Sequence, residues 1–151
     1  MLWIILVLAS PVPSGVRFTC TPTAVWDGDG PIWCAEGPKV RLAGIAAREI
    51  DETCRPHHPC PLGASGRAAR DHLVRLLGGS TGSTPDGHIR VHSAPITCLS
   101  EGSGKGSRTA AWCSLGDGRD LSCEMVRSGL AVTWPRYDRG RRLCRSGDLA
   151  K

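Results

Sequence analysis

The stretch Val25-Trp26-Asp27-Gly28-Asp29-Gly30-Pro31-Ile32-Trp33, continued by Val40-Arg41-Leu42-Ala43-Gly44-Ile45, decides the fold. Two apolar runs flank an Asp-Gly turn, the strongest short-range hairpin signal, and a third run follows closely. Strands are therefore expected near 18–27, 31–36 and 39–45, as a meander. In that arrangement the Asp27–Gly30 turn and the loop holding Glu49 meet at one end, and Arg41 opens the third strand.

These residue types suit phosphodiester chemistry, in which phosphorus gains negative charge while water loses a proton. Carboxylates bind a hard cation, a guanidinium grips two phosphate oxygens, and a further carboxylate takes the proton. Each residue also has an ordinary reading. Asp-Gly-Asp is a common turn, an Arg beginning an apolar strand is usually a solvated edge charge, and Glu49 sits in the acidic run Arg48-Glu49-Ile50-Asp51-Glu52.

Order and spacing weigh against the ordinary readings. Val25-Trp26-Asp27-Gly28-Asp29-Gly30 and Val40-Arg41-Leu42-Ala43-Gly44-Ile45-Ala46-Ala47-Arg48-Glu49 resemble the Val-x-Asp-Gly-Asp-Thr and Val-Arg-Leu-x-Gly-Ile-Asp-Ala-Pro-Glu segments of the staphylococcal-nuclease-like (thermonuclease) family. Downstream, Gly106-Ser107-Arg108-Thr109-Ala110-Ala111 is similar to its Tyr-Gly-Arg-x-Leu-Ala. Asp117-Gly118-Arg119-Asp120-Leu121 and Met125-Val126-Arg127-Ser128-Gly129-Leu130-Ala131 resemble its Asp-Gly-x-x-Val and Leu-Val-Arg-x-Gly-Leu-Ala.

The resemblance implies a metal-dependent phosphodiester hydrolase, an endonuclease acting on DNA and possibly RNA. Asp29 is then a metal ligand, with Asp27 behind it orienting the metal and its waters. Glu49 is the general base, Arg41 and Arg108 contact the scissile phosphate, and Tyr137 stacks on the nucleotide. The cofactor implied is a divalent cation, Ca²⁺ first.

Two departures bear on that cation. Ala46 stands where the family has a metal-ligating Asp, and Gly30 where it has Thr. Losing a carboxylate weakens a hard-cation site, and Arg48 in place of Pro adds positive charge beside it. Neither Asp51 nor Glu52 occupies the matching position. The alternative is thus a nucleic-acid-binding module on the same fold with weak or no catalysis. A disulfide-rich structural domain is a third reading, which leaves the joint presence of Arg41, Glu49 and Arg108 unexplained.

The 151 residues suffice for one core, and five Trp supply large apolar anchors. Leu2 to Ala9 is apolar, too short to span a bilayer as a helix, and followed by Pro11-Val12-Pro13-Ser14. That pattern reads as a signal peptide over 1–14, leaving a domain over 15–145 and a tail over 146–151; a buried first strand and an uncleaved anchor are the alternatives. Export to the periplasm or the exterior makes eight Cys a disulfide framework. Sequence leaves the connectivity open, but sequential pairing is geometrically reasonable: Cys20 with Cys34, Cys54 with Cys60, Cys98 with Cys113, Cys123 with Cys144. The loop Cys54-Arg55-Pro56-His57-His58-Pro59-Cys60 has zinc-type ligands as well, but one Pro-stiffened loop is poor zinc geometry.

Elsewhere, Ser65 or Gly66 starts a helix with Ala69, Leu73, Leu76 and Leu77 on one face, ended by Gly78-Gly79. Residues 79–87 read as a linker, 88–98 and 108–115 as strands, and 119–129 as a second helix. His72, His88 and His92 lack partnered spacing and read as surface residues. The expected fold is α+β, a five-stranded OB-type barrel with two to three helices. The loop between the last two strands brings Lys105, a candidate substrate contact, near Arg108. The net charge of +5, with Arg136, Arg139, Arg141, Arg142 and Arg145 around Trp134 and Tyr137, suits a single-stranded polyanion. Nucleic acid is the only partner implied, and the expected state is a monomer; a membrane enters only if the leader is retained.

Overall fold

The computed structural model describes residues 10–138 and 143–144. The apolar run of the leader, Arg139, Arg141, Arg142 and Arg145, and the tail 146–151 lie outside the described residues. The fold is α+β, with three helices, a mostly antiparallel sheet and four disulfides.

Strand β1 (Arg17–Cys20) comes first, and β2 (Pro22–Asp27), β3 (Gly30–Cys34) and β4 (Lys39–Leu42) pair in succession as the expected meander. Then come β5 (Ile45–Ala47), α1 (Gly66–Leu76), β6 (Ser80–Ser83), β7 (Ile89–Val91), β8 (Ile96–Ser103), β9 (Thr109–Ser114), α2 (Leu121–Arg127), β10 (Ala131–Thr133) and α3 (Pro135–Asp138). Eight strands hydrogen-bond in the order β1-β8-β9-β4-β3-β2-β7-β6, and β10 pairs with β5. Only the β4–β9 pairing is parallel among the named strands.

This corrects the expectation of five strands closed into a barrel: the described residues form ten strands, and the hydrogen-bonded order of the main sheet has two ends, β1 and β6. The strand count rises because proline and glycine divide the apolar runs. Pro22 follows the break at Thr21, and Ala94-Pro95 lies between β7 and β8, where a missing N–H cannot join a ladder. Gly44, at φ +75°, turns the chain between β4 and β5 under Trp112, whose ring a Cβ there would strike. Residues 80–83, expected as linker, form β6; all four are exposed, so backbone pairing with β7 left no apolar alternation to read.

Val25, Ile32, Val40, Leu42, Ile45, Leu73, Leu77, Ile96, Leu121 and Met125 are fully buried and form the core. Helix α1 presents Ala69, Leu73 and Leu77 to it, as the spacing predicts, while Leu76 is only partly buried. Its N-terminus is capped by Ser65, whose hydroxyl accepts the Ala68 N–H, and by Glu52, whose carboxylate accepts the N–H groups of Gly66 and Arg67. Ahead of β1, Val12 donates to the Thr109 hydroxyl and accepts from Ser100.

The disulfides follow the sequential pairing. Cys20–Cys34 joins β1 to β3, Cys98–Cys113 links directly opposed residues of β8 and β9, Cys54–Cys60 closes the loop, and Cys123–Cys144 anchors residue 144 to α2. Both thiols of the 54–60 loop are consumed, which removes its zinc reading. Four disulfides belong to an oxidising environment, and no helix among the described residues is long and apolar enough to cross a membrane. His88 departs from the surface expectation: it is 8% exposed, between the rings of Trp26 and Trp33 at 4.8 and 4.2 Å, with Nδ1 3.0 Å from Asp86.

Candidate functional site

The β2–β3 turn packs against α1 so tightly that a Cβ on Gly28 would overlap that of Ala69 and press on Ala47. That closeness buries Asp27, which is 4% exposed and accepts the Asp29 N–H at 3.2 Å. Burial first, and the Asp29 charge second, push its carboxyl far above the usual carboxylate range, so it is a neutral acid at pH 7.

Asp29 and Arg41 serve each other. Oδ2 of Asp29 accepts the Ala47 N–H at 3.2 Å and lies 3.4 Å from Nη2 of Arg41, with both side chains mostly buried. The guanidinium also donates to the carbonyls of Leu42 at 2.9 Å and Ile45 at 3.2 Å, and lies 5.4 Å from the centre of the Trp134 ring. Ala46 is 1% exposed and pairs with Val132 in the β5–β10 ladder, so the position of the expected carboxylate belongs to the core.

Glu49 leaves β5 in a turn whose N–H bonds the Thr53 carbonyl at 3.0 Å. The first helical residue, Gly66, lies against the Glu49 carbonyl in a space no Cβ fits. Its carboxylate binds Nε of Arg55 at 3.1 Å. Burial is the main cause raising its pKa, with the charges of Asp29 and Asp51 adding and those of Arg55 and Arg41 opposing. Arg48 does not face these carboxylates: its guanidinium donates to the carbonyls of Ala64, Glu52 and Pro61 at 2.8, 3.0 and 3.2 Å. Asp51 bonds Thr53 and Glu52 caps α1, so neither replaces the missing ligand.

The β8–β9 hairpin supplies the remaining basic residues. Lys105 turns the chain at φ +82°, and its carbonyl accepts the N–H and Nε–H of Arg108 at 3.3 and 3.4 Å. Lys105 and Arg108 line a cavity of about 200 Å³ together with Arg41, Arg55, His58 and Tyr137. Trp134 and Glu101 complete the wall; Glu101 accepts the Trp112 indole N–H at 2.9 Å. The Trp134 ring meets His58 at 4.5 Å and Tyr137 edge-on at 4.7 Å. The His58 pKa is lowered by partial burial first and then by the charges of Arg41 and Arg55.

Arg41, Arg108, Lys105 and Tyr137 thus share one cavity, while Glu49 touches it through Arg55. The sequence gives Arg55 no role and offers His58 only as a zinc-type ligand of its loop. Their signal was present in the two short-range cysteines, which force the intervening residues into a protruding turn.

The donors present do not fit a hard cation. Asp29 is bound to Arg41 and a backbone N–H, Ala46 stands in the place of a further carboxylate, and Glu49 is paired with Arg55. No group of three His, Cys, Asp or Glu side chains that could hold a metal is found among the described residues. The chain matches no protein-family model and no curated protein sequence.

Proposed function

We propose that the protein binds the phosphate backbone of a single-stranded nucleic acid in the cavity formed by Arg41, Arg55, Lys105 and Arg108, with Tyr137 stacking on a base. The observation that carries this reading is the gathering of four cations from three separate segments beside exposed aromatic surface. Guanidinium and ammonium groups neutralise phosphates, and the face of an aromatic ring stacks on any base. Tyr137, at 39% exposure, is available for that stacking.

An OB-type barrel of the staphylococcal-nuclease-like kind is the fold reading that accompanies it. Only Thr21 separates β1 from β2. Taken as one bent strand, they pair with β8 at one end and β3 at the other, giving the open, barrel-like order β1/β2-β3-β4-β9-β8 with β4 parallel to β9. Such barrels commonly bind oligonucleotides on this strand face. Secretion or periplasmic location follows from the leader reading together with the disulfides.

Hydrolysis is the second reading, favoured by Glu49. Burial raises its pKa above the ordinary carboxyl value, the direction a general base needs, and it lies close enough to Arg41 to feel its charge. In that case Glu49 removes a proton from water while Arg41 and Arg108 hold the phosphate.

The two readings separate in one assay on labelled single-stranded DNA and RNA, run with Ca²⁺, with Mg²⁺ and with chelator. Binding without cleavage supports recognition. Cleavage abolished by Glu49→Gln supports hydrolysis, and absence of both activities removes the two together.

A further inference from the structure

The loop Cys54-Arg55-Pro56-His57-His58-Pro59-Cys60 contributes two residues to the cavity wall, Arg55 and His58. Three devices hold its ends. The Cys54–Cys60 disulfide closes it, the Arg48 guanidinium binds carbonyls on both sides of it at Glu52, Pro61 and Ala64, and Glu52 ties the preceding turn to the start of α1. Within it, the His58 N–H returns to the Arg55 carbonyl at 3.2 Å.

We infer that this disulfide-closed loop is part of the binding site, with Arg55 and His58 as direct contacts to the phosphate backbone of a single-stranded nucleic acid; this rests on the recognition reading above. Arg55 meets Glu49 through Nε, and its side chain is 47% exposed, which leaves the Nη groups for a forked grip on a phosphate. The Glu49 carboxylate sets the plane of that fork. His58 packs on Trp134, whose ring also lies against Arg41, so imidazole, indole and guanidinium form one continuous wall. A loop already closed by a covalent bond loses little freedom when it binds, and so presents these two side chains at low entropic cost.

The test measures binding of fluorescein-labelled oligodeoxythymidine to the oxidised full chain over a range of salt concentrations, with far-UV circular dichroism confirming the fold of each variant. Arg108→Ala tests the pocket, Arg55→Gln and His58→Ala test the loop, and Arg90→Gln on β7 controls for the loss of a positive charge away from the cavity. Expected losses are about tenfold for Arg55→Gln and about fivefold for His58→Ala. Arg55→Gln also lowers the slope of log affinity against log salt by about 0.7, as removal of one phosphate contact on a single strand should. Arg90→Gln keeps the wild-type affinity and slope.

If Arg108→Ala weakens binding while both loop variants bind like wild type, the loop inference is overturned and the pocket reading stands on Arg41, Lys105 and Arg108 alone. A loss in Arg90→Gln equal to that in Arg55→Gln overturns it too, by reducing the effect to overall charge. No binding by wild type, or none lost in Arg108→Ala, overturns the pocket reading and the inference with it.

Discussion

The Asp27–Asp29–Arg41 centre and the Arg55–Lys105–Arg108 rim carry similar charged groups under opposite conditions. At the centre every group has an internal partner or is neutral: Asp27 protonated, Asp29 bound to Arg41 and Ala47, Arg41 donating to two carbonyls besides. At the rim Lys105 is exposed, and Arg55 is half-exposed with its Nε on Glu49. Burial makes a charge costly unless it is compensated, so the pairings at the centre serve the fold, and Arg41, which also lines the cavity, joins the two regions. Charges at the rim stay hydrated and can exchange water for phosphate.

The largest expected effect breaks the centre. Asp29→Ala leaves Arg41 without its carboxylate in a mostly buried position, and chemical denaturation should show a loss of about 3 kcal/mol. An equally large loss in Lys105→Ala would erase the distinction between the two regions.

Next comes the pH dependence that Asp27 imposes. Its folded pKa lies above its unfolded one, so the native state binds more protons once pH passes the ordinary carboxyl range. Its contribution is fully present below the unfolded pKa and is lost as pH rises toward and through the raised folded value. The slope reaches about 1.4 kcal/mol per pH unit at most. Denaturation series across that window should show wild-type stability falling relative to Asp27→Asn. Parallel curves would mean that Asp27 is ionised in the native state.

Smaller again is Arg108→Ala, which should cost about tenfold in single-strand affinity while leaving stability within about 0.5 kcal/mol of wild type. Smallest is Ala46→Asp in calcium titration. With Asp29 engaged by Arg41 and Ala46 buried against Val132, the added carboxylate should lower stability without producing a Ca²⁺-dependent rise in melting temperature. A clear rise would restore the cation reading.

Much of this contrast was legible in the sequence, and the illegible part has physical causes. The Asp-Gly turn and the α1 face of Ala69, Leu73 and Leu77 follow local rules of spacing, and the structure has them; the sequential cysteine pairing, one of many the sequence leaves open, is present too. Strand β6 was hidden because Ser80, Thr81, Gly82 and Ser83 bury nothing, and β10 because three residues make no pattern. Arg41, Lys105, Arg108 and Tyr137, which the sequence offers as candidate site residues, share one cavity. What spacing cannot reveal is whether an acid and a base meet each other or a ligand. Asp29 and Arg41 are twelve residues apart and meet each other. Arg55 and His58 escaped notice because their loop presented itself as a metal or disulfide motif, and the disulfide explained its cysteines without explaining what lay between them.

The central claim is that the rim recognises phosphate with no help from a cation at the centre. Titration of labelled oligodeoxythymidine in the presence of chelator, for wild type and for a Lys105→Ala/Arg108→Ala double variant, tests it most directly. The account predicts salt-sensitive wild-type binding that chelator leaves unchanged and a loss of more than about tenfold in the double variant. Wild-type binding that vanishes in chelator and returns with Ca²⁺, or a double variant that binds as tightly as wild type, would contradict it.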